Sequence, residues 1–278
     1  MENQEEKKEA EAALVEMTLG ELNGALALGI ITTDGTFSTA LAIRPWRMLE
    51  EKELGVLKET NKDANLAQYV TMVLATMVTK CGPHDFASMK VEERRAHIQQ
   101  MYAGDVFSAY CHLRAASMGN DLDLGTTCPH CRLAFDLNAD LSTLKVTVAK
   151  CIEDLIWEYR LKHPIQFRGK QVDGFTMMPL RWTHMEQATS GGANMGAAKA
   201  VIIAGAINTV LGSDQKIAVV PSELDELAKI DIEGISAKLD DKPLGPQMAV
   251  EIDCPRCHRH LVQPVRWDYD SFFSVSSR

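Results

Sequence analysis

Apolar positions change period several times along the chain, and the changes mark out its elements. Thr36 to Ile43 (TFSTALAI) alternates in the manner of a strand and stops at Pro45, after which Arg47 to Lys58 takes up helical spacing of Leu among Glu. Leu66 to Thr79 (LAQYVTMVLATMVT) has apolar residues recurring at helical spacing, which predicts a buried helix with Cys81-Gly82-Pro83 as its stop. Val91 to Gln100 and Asp105 to Met118 predict two more helices, the second ending at Gly119. Leu122 to Leu137 differs: two short alternating segments flank Cys128-Pro129-His130-Cys131, the pattern of a hairpin bent around a metal knuckle.

The order then begins again. Lys145 to Lys150 is strand-prone, and Trp157 to Phe175 carries Pro and Gly breaks. Met177-Met178-Pro179-Leu180-Arg181 echoes Ala42-Ile43-Arg44-Pro45-Trp46-Arg47, with Pro179 and Arg181 in the places of Pro45 and Arg47. Helices are predicted at about Ala197 to Leu211 and Pro221 to Leu239, and Met248 to Val265 repeats the hairpin around Cys254-Pro255-Arg256-Cys257. Pro179 lies 134 positions beyond Pro45 and Cys254 lies 126 beyond Cys128, a difference that loop deletion can absorb. The expected fold class is α+β: two diverged strand–helices–zinc-knuckle-hairpin repeats sharing a zinc-ribbon-like site. The corresponding division is an N-terminal lead over 1–35, a first repeat over 36–144 and a second over 145–278.

Composition narrows the function. A chain of 278 residues with 46% hydrophobic and 24% charged residues is globular rather than disordered. A formal net charge of -9 disfavours nucleic acid, because phosphate binding draws its affinity from clustered Lys and Arg, and here these are scattered among acids. Met1 to Glu11 reads as a solvated, frayed or helical lead, and Met1 to Ala13 has no basic start and apolar middle of a secretory signal. The most apolar stretch, Ala197 to Leu211, is too short for a membrane span and carries Lys199 and Asn208, so a soluble protein made in the cytoplasm is expected. Seven cysteines with two close pairs fit a reducing compartment in which thiolates hold metal.

The two knuckles carry the firmest chemistry. A C-x-x-C turn lets two thiolates converge on one ion while turn N–H groups spread their charge, so one knuckle supplies half a tetrahedron. Pairing Cys128 and Cys131 with Cys254 and Cys257 gives a closed four-sulfur zinc site, structural rather than catalytic, that staples distant parts of the chain. Two separate sites are the alternative, the first completed by His130 or Cys111 and the second by His258 or His260; a redox C-x-x-C or a zinc hydrolase lacks its usual surroundings. Cys81, Cys111 and Cys151 read as small buried hydrophobes, and His112 and His184 have no nucleophile motif beside them, so no catalysis is expected. Ser190-Gly191-Gly192 lacks the context of a phosphate loop and reads as a hinge or loop; Met177, Met178, Met185 and Met195 read as core or adaptable interface.

Taken together, Ile43-Arg44-Pro45 before a Glu-rich helix, then Leu113-Arg114-Ala115-Ala116-Ser117-Met118-Gly119, then an acidic strand into Cys128-Pro129-His130-Cys131 resemble the baseplate-hub protein family of T4-like contractile phages. Relatives of that family occur in Mu-like phages and contractile injection systems. The resemblance covers Phe37 to Leu141, the second knuckle and the terminal Asp270-Ser271-Phe272-Phe273. It implies a structural or assembly component of a tail baseplate, as hub, wedge or transient assembly chaperone. Its implied partners are other tail and baseplate proteins, without nucleic acid, membrane or small-molecule substrate, and its implied place is the host cytoplasm during assembly and the virion tail afterwards. Family knuckles often carry Gly after the second Cys, where this chain has Arg132 and His258.

Overall fold

The computed structural model describes residues 14–31, 37–60, 63–190, 194–241 and 244–273. The chain starts with strand β1 (Val15–Thr18), the one-turn helix α1 (Leu19–Leu22) and strands β2 (Ile30–Ile31), β3 (Phe37–Ser38) and β4 (Leu41–Ile43). Helices α2 (Met48–Thr60) and α3 (Leu66–Met77) lead into strands β5 (Val78–Cys81) and β6 (His84–Asp85), then helices α4 (Val91–Gln100) and α5 (Ala103–Met118). The first knuckle joins β7 (Asp121–Thr127) to β8 (Ala134–Asp140), and β9 (Lys145–Val148) follows. A long hairpin of β10 (Trp157–Phe167) and β11 (Lys170–Met177) precedes α6 (Trp182–Ala188), α7 (Met195–Ala206) and β12 (Ile207–Val210). Helix α8 (Lys229–Asp241), strand β13 (Gly245–Pro246), the second knuckle hairpin of β14 (Ala249–Asp253) and β15 (His260–Pro264), and a short α9 (Tyr269–Phe272) complete it. This is an α+β fold of small antiparallel sheets: β1-β9-β13, β4-β5-β6, β10-β11-β12 and three two-stranded pairs.

Several elements differ from the sequence expectation for one physical reason. The stretch read as one strand over Thr36 to Ile43 is two short strands in different sheets, β3 against β2 and β4 against β5; Thr36 lies outside the described residues. The helices expected to run to Thr79 and Leu211 stop at Met77 and Ala206, and their last residues become β5 and β12. A short apolar run fits either state, and β-branched Val78, Thr79, Ile207, Thr209 and Val210 pair with β4 and β11 once the partners are at hand. The helix expected over Pro221 to Leu239 begins as a 3-10 turn at Pro221–Leu224, and the α-helix starts at Lys229. Met1 to Glu11, Gly191 and Gly192 lie outside the described residues. Residues 14–31, inside the span read as a lead, are built in: Leu26, Ala27 and Leu28 are fully buried and β1 pairs with β9.

The apolar residues form two cores. The larger gathers α3, α5, the N-terminal segment and, from residues 145–278, Val146, Val148, Leu155, Trp182, Val265 and Phe272; the smaller packs β10 and β11 with α7 and α8 around Phe175, Met177, Ile203 and Ile235. Helix α6 is the bridge between them, because the Trp182 indole N–H donates to Ala67 O (3.2 Å) and Thr71 Oγ1 (2.9 Å) of α3. The Asn65 amide of α3 reaches back to Glu186 O (2.8 Å), and the buried Glu186 carboxylate accepts from Thr71 and from Gln99 Nε2 (2.8 Å).

Backbone contacts recur between the halves at constant shifts. Arg44 N–H donates to Met77 O, and 134 and 129 positions on, Met178 N–H donates to Ala206 O. Gly82 N–H donates to Ala40 O, and Leu211 N–H to Gly174 O. Asn65 caps α3 as Asn194 caps α7, again 129 apart, each side chain accepting from the amide three residues on. In the third residue of α5, the Asp105 carboxylate accepts from the amides of Leu28 (2.7 Å) and Gly29 (3.3 Å). Asp231, third in α8 and 126 positions on, accepts from the amides of Lys162 (2.7 Å) and His163 (3.1 Å). Gly119 and Gly245, also 126 apart, both take positive φ, 83° and 100°.

The Asp105 contact has a pH signature. Burial pushes its carboxyl up to about 7 against the downward pull of the Leu28 and Gly29 amides, and Oδ2 has no partner among the described residues. A carboxyl that holds its proton more tightly folded than unfolded stabilises the fold fully below its unfolded value near 4; that contribution is lost as pH rises to about 7. Asp105→Asn keeps an acceptor for the two amides and removes the titration. The expected outcome is a stability difference, variant minus wild type, that grows from pH 4 to pH 7 and then levels off in urea unfolding series.

Candidate metal centre

Each knuckle is built by the same two backbone hydrogen bonds. Arg132 N–H donates to Cys128 O (2.9 Å) and Cys128 N–H to Leu133 O (2.9 Å); His258 N–H donates to Cys254 O (2.9 Å) and Cys254 N–H to Arg259 O (3.0 Å). This closes a tight turn at the tip of each hairpin and forces the residue after the second cysteine into the left-handed region, with φ 57° at Arg132 and 56° at His258. Both residues carry a side chain there, at a cost of roughly 1–2 kcal/mol each. The two knuckles thus take one turn geometry with a side chain, not Gly, at the left-handed position.

The two hairpin tips meet. Cys128 Sγ lies 3.7 Å from Cys257 Sγ, and Cys131 Sγ lies 3.5 Å from Cys254 Sγ, so each cysteine of one knuckle faces the opposite member of the other. All four sulfurs fall within 4.8 Å of one another. A tetrahedral zinc with Zn–S near 2.3 Å has S···S edges of about 3.8 Å, so the donor set has the size and the soft chemistry for that ion. Cys128 and Cys254 are fully buried, while Cys131 and Cys257 are half-buried.

Electrostatics favour thiolates at the first cysteine of each knuckle. The Cys131 amide, with that of His130, holds the Cys128 thiol below its ordinary value, and the Cys257 and Arg256 amides bring Cys254 down to about 6. At Cys131 the Leu133 amide pulls down, but burial and the three neighbouring thiols together push the group up to about 11. Four sulfurs crowded together without a cation resist ionising at once, and a divalent ion removes that conflict.

Two of the histidines considered as ligands are engaged elsewhere. His130 Nδ1 sits 2.9 Å from Arg259 Nη1, His260 Nδ1 lies 3.4 Å from Asp253 Oδ1, and among the described residues no His, Asp or Glu joins the sulfur cluster. Cys111 is buried on α5 with its sulfur 3.7 Å from Met248 Sδ, and burial pushes both it and Cys81 up to about 12. Cys151 is half-buried, and its amide donates to Asp154. Burial lowers the pKa of His112 and His184.

A model of the T4 bacteriophage base plate protein family matches residues 31–274, most of the chain. The chain belongs to the T4 bacteriophage base plate protein family. No curated protein and no solved structure matches it. Membership in the base plate family assigns the chain a structural part in a phage tail, with other base plate proteins as its neighbours. No helix among the described residues is long and apolar enough to cross a membrane.

The base plate family's chain also holds groups that the sequence reading passed over. Arg114, quoted only as part of a motif, is a buried hub: its guanidinium donates to Phe272 O (2.7 Å), Gly119 O (2.6 Å) and Asp121 O (2.7 Å). Behind it, Tyr110 stacks on Phe272 at 4.9 Å and Trp267 meets Phe107 edge-on at 5.4 Å. These contacts carry the chain from the second knuckle back into the larger core. An arginine at helical spacing beside a glycine stop is the one sequence signal that could have marked it.

Proposed function

We propose that Cys128, Cys131, Cys254 and Cys257 hold one structural zinc ion, and that the chain is a hub or wedge component retained in the finished base plate. The observation that carries this reading is the meeting of four sulfurs, 123 to 129 residues apart across the two pairs, at tetrahedral spacing. A bound zinc would supply charge neutralisation and a rigid tetrahedral joint, with no open position for catalysis. The residues do the remainder. Turn amides stabilise the thiolates, Thr126 donates to Gln263 across the hairpins, and the Arg259–His130 contact covers one side. A part of this kind must hold shape under the strain of contraction, and closing so long a loop restrains the unfolded chain strongly.

We further propose that the chain is a diverged duplication, one copy over 36–144 and the other over 145–278, sharing the site as a zinc ribbon does. The paired contacts at shifts of 134, 129 and 126 support it, and those of Leu28 and Gly29 extend the correspondence into the span read as a lead. Five of the eight missing residues then fall between the proline and the capping asparagine, and three between Gly82 and Asp105. Assembly takes place in the host cytoplasm on this reading, without nucleic acid, given the net charge of -9. Mass spectrometry of purified tails tests the role. A structural part is found there at fixed copy number, whereas an assembly chaperone is present in lysates and missing from the particle.

A further inference from the structure

Two open surfaces stand out among the described residues. Met48 (70%), Leu49 (61%) and Val56 (60%) lie exposed on one face of α2, and a groove opens between α7, the Pro221–Leu224 turn and the start of α8. That groove is a cavity of about 290 Å³ lined by Gly196, Ala200, Ile203, Leu224, Leu227 and Ile232. Exposed patches of this kind mark interaction sites.

The two surfaces are related through an interface the chain already contains. Helix α6 lays Trp182 on α3 at Ala67 and Thr71. At the 129 shift, Ala67 and Thr71 become Gly196 and Ala200, the floor of the open groove. At the 134 shift, Trp182 and Glu186 become Met48 and Lys52, on the outward face of α2. Within one chain the α6–α3 contact is made once, while both halves of its counterpart stay uncovered. Charge adds one pair: at the 126 and 134 shifts the Gln99–Glu186 hydrogen bond becomes Asp225 at the groove with Lys52 on α2, while Lys199 and Lys229 beside the groove are held by Glu233.

We infer that α2 of one copy of this chain docks in the α7 groove of a second copy, repeating between molecules the contact that α6 makes on α3 within one. This rests on reading the halves as copies. The contact is head-to-tail, so it closes into a ring if the rotation allows and otherwise extends.

The test is sedimentation of the full chain over a concentration series, with two variants. Leu49→Glu/Val56→Glu charges the α2 face without touching the groove, and Ala200→Trp fills the groove without touching α2. Wild type should associate beyond a dimer, each variant should weaken association at least about 100-fold, and an equimolar mixture of the two should form a 1:1 dimer and nothing larger. The mixture dimerises because each variant keeps the surface that the other has lost. A wild type that stays monomeric, a variant that associates as wild type does, or a mixture that stays monomeric overturns the inference. Zinc per chain, counted on the same samples, separates the failures: metal-bound monomers reject this contact alone, metal-free monomers reject both the contact and the zinc site, and metal-free oligomers reject the zinc site alone.

Discussion

Replacing Cys254 with Ser is expected to take the zinc content from one ion per chain to none and to release the two hairpin tips from each other. A structural zinc binds with roughly 10–16 kcal/mol, comparable to or larger than the stability of a whole domain, so this is the largest single change the structure offers. The two apolar cores draw on none of the four sulfurs except through the neighbouring hairpin strands. The variant should therefore keep its helices and a cooperative transition at a lower midpoint, with amide exchange gained chiefly in β7, β8, β14 and β15. A chelator added to wild type should reproduce that pattern, and phage carrying the variant should yield incomplete tails. Metal-free wild type, or a variant that assembles normal infectious particles, would refute the structural zinc.

The second large effect is expected at Arg114. Arg114→Met preserves much of the buried stem but removes the donor to three carbonyls: that of buried Phe272, and those of Gly119 and Asp121, whose residues are exposed. Leaving the one buried acceptor unsatisfied costs about 1–3 kcal/mol and losing each of the two part-buried bonds about 0.5–1.5 kcal/mol, so a loss of about 2–4 kcal/mol in denaturant unfolding is expected. The loss should also loosen the last turn, because Phe272 is held by its carbonyl as well as by stacking on Tyr110. A variant within 1 kcal/mol of wild type, a threshold set at about one ordinary hydrogen bond, would show that the C-terminal segment is anchored by its rings alone.

The two sites differ in how far the sequence discloses them. Cys128, Cys131, Cys254 and Cys257 are legible because metal chemistry needs a particular residue type at a particular short spacing, and that survives as a written pattern. Arg114 carries no such pattern, since its partners are main-chain carbonyls and any residue supplies one. The same holds for Asp105 and Asp231, which look like ordinary helix acids in the sequence until the amides of Leu28 and Lys162 are seen against them. The ends of α3 and α7 were hidden for a related reason: Val78 and Ile207 are equally apolar in a helix or a strand, and only β4 and β11 alongside decide between them.

What the amino-acid order determined alone is therefore local: the hairpins around the knuckles, the helices over Val91 to Gln100 and Asp105 to Met118, the soft donor set, and the family to which those motifs point. What tertiary structure decided is which distant groups share a place. It set Cys128 against Cys257 and Cys131 against Cys254, turned His130 away to Arg259, and laid Trp182 of the second half in the core of the first. The reason is that spacing along a chain constrains neighbours within a turn or a hairpin. Contacts over a hundred residues are chosen by the packing of whole faces, which no short pattern records.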